Sequence, residues 1–144
     1  MCGAVVALDV GTKTVGMAYS PAGVRSCVPI QTLQRSPSVR RDLGLLSEVL
    51  KARSAEMVVV GLPLMPDGSE GERAQMVQAF VARLRGFVRI PIVFQDERYT
   101  SFAASEIISA EKYDNSADIH SISAVLILED YLTMRGEALG SDTA

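Results

Sequence analysis

The stretch ALDVGTKTVGMAYS, Ala7 to Ser20, decides the fold. Val5, Val6, Ala7, Leu8 and Val10 form the apolar run of a buried strand, and Thr14 to Tyr19 reads as a second strand. Only the turn GTK separates them. The two must therefore be antiparallel, because parallel neighbours need a long crossover between them. Gly11 is expected to supply a positive φ in that turn, and Gly16 to allow a close approach within the second strand. Asp9 interrupts the apolar run at its carboxyl end. A carboxylate in such a place is costly unless it is paired or bound to a cation.

Outward from this hairpin, Val24 to Leu33 reads as a third strand, at the sheet edge because Pro29 removes a ladder donor. Ser36 and Ser38 can open a helix from Val39 to about Arg53, with Leu43, Leu46, Val49 and Leu50 on one face. The run MVVVG, Met57 to Gly61, predicts a strand buried on both faces. Pro63, Pro66, Asp67 and Gly68 mark a loop, and Ser69 then offers a cap for a helix to about Arg85, with Met76, Val77, Phe80, Val81 and Leu84 inward. Ile90 to Gln95 is a further strand that runs into Asp96 and Glu97. Ser101 to Ala110 suits a short helix, Tyr113 to Asp118 a loop, and His120 to Met134 a last helix. This order predicts an α/β fold: a five-stranded mixed sheet, its first three strands antiparallel and its last two parallel to the first, flanked by helices. Residues 1–136 are expected to form one domain and residues 137–144 a disordered tail. Sites in such sheets favour the carboxyl ends of the parallel strands, here Asp9, the Gly61 to Asp67 loop, and Asp96 with Glu97.

The bulk properties narrow the function. The chain has 144 residues, of which 48% are hydrophobic, enough for one substantial core. It contains no long apolar run to span a membrane and no secretory signal. Its two cysteines, Cys2 and Cys27, form no CxxC pair, which fits a reducing cytoplasm better than a disulfide framework or a structural zinc site. Residues 1 to 98 hold 12 of the 14 basic residues against nine acidic ones. A phosphate-binding face is therefore expected from this part of the chain.

Asp9 and the Asp96-Glu97 pair end strands that can be neighbours. Carboxylates gathered there repel each other, and a hard divalent cation removes that cost. Two such cations about 4 Å apart can activate water and steady the leaving oxygen of a phosphodiester. The competing reading pairs Asp9 with Lys13 and closes the DER segment internally through Arg98. GTKTVG matches neither a P-loop nor a dinucleotide fingerprint, so it reads as a hairpin whose Lys13 meets a phosphate. Asp67, Ser69 and the following helix N-terminus could meet another, or form only a turn. His120, the single histidine, falls near the start of the last helix. Tyr99, Phe102 and Tyr113 are too few for a base-stacking platform.

ALDVGTKTVGMAYS, VVVGLPLMPDGSEG, QDERYTS and HSISAVLILEDYL together resemble, in order and spacing, the YqgF family, also called RuvX-like. The resemblance spans nearly the whole chain. It implies an RNase H-like fold and a nuclease that uses Mg²⁺ or Mn²⁺ to process the 5′ end of the pre-16S ribosomal RNA, acting on ribosome assembly intermediates as a monomer or homodimer in the cytoplasm. The alternative it implies is a DNA endonuclease that resolves Holliday junctions. Asp9 matches the family's first acid. The DER[LFY][ST][ST] motif falls on Asp96 to Ser101, with Glu97 as second ligand, Asp96 in reserve, and Arg98, Thr100 and Ser101 toward the nucleic acid. The third acid of the pattern VDSxxA is replaced: the chain reads IHSISA, with His120 in its place. Imidazole favours Mn²⁺ over Mg²⁺ and brings no negative charge. This departure makes a third reading credible, a nucleic-acid-binding or ribosome-assembly module with a weakened site. DVGTKTVG also resembles the phosphate motif of actin-like ATPases, but those need two lobes and this chain has room for one.

Overall fold

The computed structural model describes residues 3–22, 26–97 and 119–138, with side chains in the last segment described through Met134. Five strands form one sheet: β1 (Ala4–Val10), β2 (Thr14–Ser20), β3 (Val28–Gln34), β4 (Ala55–Leu62) and β5 (Ile92–Asp96). Three helices accompany them among the described residues: α1 (Val39–Ala52), α2 (Glu72–Leu84) and α3 (Ile119–Ala138). The strand order is β3-β2-β1-β4-β5. β1 to β3 are antiparallel in succession, and β4 and β5 run parallel to β1. This is the mixed sheet expected from the sequence, with Pro29 on an edge strand. The expected helix at Ser101 to Ala110 and the loop at Tyr113 to Asp118 lie outside the described residues, as does the chain after Ala138.

Alternation along the strands sorts the core into two layers. Val6, Leu8, Val10, Val58 and Val60 face α1 and α2, against Leu43, Leu46, Leu50, Val77, Phe80 and Leu84. Val5, Ala7, Ala18 and Val59 face α3, against Ala124, Val125, Ile127 and Leu128. Burial on both faces explains the apolar runs Ala4–Leu8 in β1 and Met57–Val60 in β4. Asp9 continues the Val5, Ala7 row and so belongs to the face that carries α3.

Several local expectations are corrected. Ser38 alone caps α1, its side chain accepting from the Arg41 amide at 3.2 Å. Ser36 instead donates its hydroxyl to Asp42 at 2.9 Å. Ser69 does not cap α2, which starts at Glu72 with Gly71 as N-cap and no side-chain cap bond. Asp67 competes for Ser69: its Oδ1 accepts from the Ser69 amide at 2.9 Å and from the Ser69 hydroxyl at 2.6 Å. This ties the loop locally, with Gly68 at φ 89° completing the turn. Gly68 is the glycine at positive φ among the described residues, so Gly11 does not supply one. The β1–β2 turn closes instead with the Gly11 amide donating to the Thr14 carbonyl at 2.8 Å.

Candidate active site

Three segments meet at the carboxyl ends of β1, β4 and β5. β1 brings Asp9, paired across the antiparallel ladder with Gly16 of β2. Its other neighbour is β4, registered through Leu8 and Val60, so Gly61 follows on that side. Glu97 directly follows β5 and extends the ladder, its amide donating to the Leu62 carbonyl at 3.2 Å.

The two glycines explain how the site closes around Asp9. A Cβ on Gly61 would meet Glu97 Oε2 and Ile127 Cδ1, each at 2.5 Å. The Glu97 carboxylate thus lies over the missing side chain of the residue beside Asp9, on the α3 face of the sheet. On the opposite flank, a Cβ on Gly16 would collide with the His120 carbonyl. The first turn of α3 rests directly on the ladder partner of Asp9. Ser121 fastens that turn, its hydroxyl donating to the Ile30 carbonyl at 2.9 Å and lying 2.8 Å from the Thr32 hydroxyl. Glycine within a strand marks a close approach, and the two glycines here flank the same aspartate.

The electrostatics follow from this crowding. Burial raises the Asp9 pKa above its ordinary value, and His120 and then Arg73 counter it. Burial also pushes Glu97 up, and the negative charge of Asp9 adds to it; with Arg73 opposing and Asp96 reinforcing, Glu97 reaches about 8. Arg73, exposed in the first turn of α2, thus acts on both carboxylates, a role that no sequence motif marks. Its position depends on α2 starting beyond the carboxyl end of β4, which composition does not reveal.

The candidates separate as follows. Asp9 and Glu97 converge, and His120 lies near enough to Asp9 to counter its pKa shift. Asp96 falls on the opposite face by strand alternation, in line with Ile92, which packs against the α2 layer. Lys13 is exposed on the β1–β2 turn, and the groups that counter Asp9 are His120 and Arg73 rather than Lys13. Asp67 and Ser69 are exposed on the loop after β4 and bond to each other. Arg98, Thr100 and Ser101 lie outside the described residues. Among the described residues no three His, Cys, Asp or Glu side chains form a group that could hold a metal ion. Asp9 and Glu97 nevertheless have the chemistry of a hard-cation donor pair: two half-buried carboxylates, each held toward its protonated form by burial, with Asp9 also pushing Glu97 up.

Comparison with known proteins identifies the family and supports the fold. A protein-family model described as "RuvX: Holliday junction resolvase" matches residues 3–134. A protein of Synechococcus elongatus named "Putative pre-16S rRNA nuclease" is 38% identical over 141 residues, covering 93% of this chain and 91% of that one. One of the same name from Chloroflexus aurantiacus is 34% identical over 134 residues, covering 91% and 87%. Among solved structures, Thermus thermophilus RuvC in complex with a Holliday junction substrate superposes with a TM-score of 0.64 at 17% identity, covering 92% of this chain and 95% of that one. The likeness to RuvC carries the fold, and the sequence match carries the family: this chain belongs to the RuvX family of nucleases.

Proposed function

We propose that the chain hydrolyses phosphodiester bonds in the precursor of the small-subunit ribosomal RNA, in the cytoplasm, with a divalent cation held by Asp9 and Glu97. The observation that carries this reading is the convergence of those two carboxylates from the ends of different strands, with Glu97 lying over Gly61. The naming of the relatives favours ribosomal RNA over DNA as substrate. Mg²⁺ or Mn²⁺ held there would supply Lewis-acid activation of water and charge to steady the leaving oxygen. Asp9 and Glu97 orient the site and must both be deprotonated to act as ligands. Arg73 adds fixed positive charge where the phosphate would sit, and Lys13 on the adjacent turn takes a neighbouring phosphate. His120, beside Asp9, favours Mn²⁺.

One observation favours a second reading, a nucleic-acid-binding module with a weakened site. His120 stands where the family pattern has an acid.

The deciding experiment measures Mn²⁺- and Mg²⁺-dependent cleavage of a labelled panel: ribosomal precursor RNA, single-stranded RNA and a four-way DNA junction. Wild type is run beside Asp9→Asn and His120→Asp. Precursor cleavage that disappears in Asp9→Asn supports the nuclease reading. Junction cleavage alone would transfer the activity to DNA. Silence of wild type, with RNA retained on the protein in a binding assay, favours the module.

A further inference from the structure

The turn that follows Asp9 is held by a buried ionic cluster from outside the site. Arg35, the first residue after β3, grips the turn twice. Its backbone amide donates to the Lys13 carbonyl at 2.8 Å, and its Nη1 donates to the Gly11 carbonyl at 2.7 Å. The guanidinium itself is enclosed, with its side chain 15% exposed. It lies 4.9 Å from the centroid of the Phe80 ring and 4.0 Å from Met76 Sδ, both on α2. On its other side Asp42 of α1, wholly buried, brings Oδ2 to 4.0 Å from Nε. Asp42 is fixed in turn by the Ser36 amide at 3.1 and 3.2 Å and the Ser36 hydroxyl at 2.9 Å, with Arg41 at 3.8 Å.

The distances say what the cluster is for. An arginine beside a buried carboxylate ordinarily forms a short, two-pronged pair with it. Here the short bond goes to the Gly11 carbonyl, and the carboxylate stands back at 4.0 Å. A buried ion pair is in general no better for stability than well-packed apolar side chains. This one joins α1, α2 and the β1–β2 turn at a single guanidinium. Only arginine meets all three demands together, because its planar fork can donate to a carbonyl, face a carboxylate and stack on a ring.

We propose that Arg35 is a positioning residue: locked by Asp42 and Phe80, it fixes the Gly11–Lys13 turn so that Lys13 meets the nucleic-acid phosphate next to the Asp9–Glu97 site. The proposal rests on the nucleic-acid reading above but not on catalysis. The test therefore uses binding and backbone dynamics. Wild type, Lys13→Ala, Arg35→Lys and the double variant are titrated with a fluorescein-labelled single-stranded RNA at several KCl concentrations. Amide exchange of residues 11–14 is followed by NMR in the same proteins.

Arg35→Lys keeps a charge beside Asp42 but loses the fork. It is expected to weaken RNA binding about tenfold, as Lys13→Ala does. Each should reduce the slope of affinity against salt by about 0.7, the contribution of one phosphate contact to single-stranded nucleic acid. The double variant should be no weaker than either single one, because Arg35 acts through Lys13. Exchange at Gly11 should accelerate while β1 and β4 stay protected. Should Arg35→Lys not fold, Arg35→Gln with Asp42→Asn removes both buried charges together and is read the same way. Additive losses in the double variant, unchanged Gly11 exchange, or an unchanged salt slope would each overturn the proposal. Absence of RNA binding by the wild type would overturn it together with the nucleic-acid reading, whereas binding without cleavage would remove only the nuclease.

Discussion

Glu97→Gln should stabilise the metal-free protein while abolishing its activity. The folded chain holds the Glu97 proton to about pH 8, whereas the ordinary value is 4.5. Between these values the unfolded chain binds fewer protons than the folded one, so stability falls as pH rises. The window spans roughly three and a half pH units, and at about 1.4 kcal/mol per unit its ceiling is about 5 kcal/mol. Glu97 keeps partial access to solvent, which brings the expected loss down to about 2–3 kcal/mol. For a chain of this size that is about 6–10 °C in Tm. Glutamine fills the same space over Gly61 and has no proton to lose, so only the contribution of Asp9 remains. Thermal melts in EDTA, from below pH 4.5 to above pH 8, should show wild type and Glu97→Gln together at the acid end and diverging toward the alkaline end. Mn²⁺ should then raise the wild-type Tm at alkaline pH and leave the variant unmoved. Parallel curves over the whole range would refute the placement of Glu97 in a crowded, half-buried carboxylate pair.

Three further outcomes follow from the same geometry. Gly16→Ala sets a methyl against the His120 carbonyl, and Gly61→Ala sets one against the Glu97 carboxylate and Ile127; each should cost about 1–3 kcal/mol in urea unfolding. Gly61→Ala should also weaken Mn²⁺ binding by calorimetry, because it moves a proposed ligand, whereas Ala at position 44, where a Cβ meets nothing, should leave Mn²⁺ affinity unchanged. Arg73→Gln removes a charge that lowers both carboxyl pKa values, so the acid limb of the cleavage pH profile should move to higher pH, with kcat/KM down by about 10–100-fold. His120→Asp adds a third carboxylate beside Asp9. It should lower the Tm in EDTA, raise the Mg²⁺-induced gain in Tm, and increase Mg²⁺-dependent cleavage relative to Mn²⁺.

The sheet was legible because its strands announce themselves by burial. The unbroken apolar runs at Val5 to Leu8 and Met57 to Gly61 are what a strand covered on both faces needs, and a three-residue turn leaves the hairpin no other topology. Glu97 over Asp96 was legible only through the family pattern. Its physical reason is register: with a side-chain period of two, one residue decides which face a carboxylate joins. Ser69 misled because Ser-x-x-Glu before an apolar run carries the signature of a helix start, and nothing in the spacing shows that Asp67 takes the Ser69 amide and hydroxyl first.

The residues that escaped the sequence share one property: their partners are distant in the chain. Asp42, in the first turn of α1, reads as an ordinary acid complementing the helix dipole. Arg35 carries no motif that marks it in the sequence. Their meaning appears only when α2 brings Phe80 and Met76 against the guanidinium and β2 brings the turn beneath it. Arg73 likewise becomes part of the site only when α2 begins at the carboxyl end of β4. Sequence thus exposes the carboxylates, whose cost inside an apolar strand must be offset, and hides the cations, which are unremarkable until the fold sets them beside a carboxylate or a turn. In this chain the asymmetry has a consequence for function. With His120 in place of an acid, the proposed cation has one negative ligand fewer, so Asp9 and Glu97 decide between the nuclease and the binding module, whereas Arg73, Lys13 and the Arg35 cluster that orders the turn would serve phosphate binding in either case.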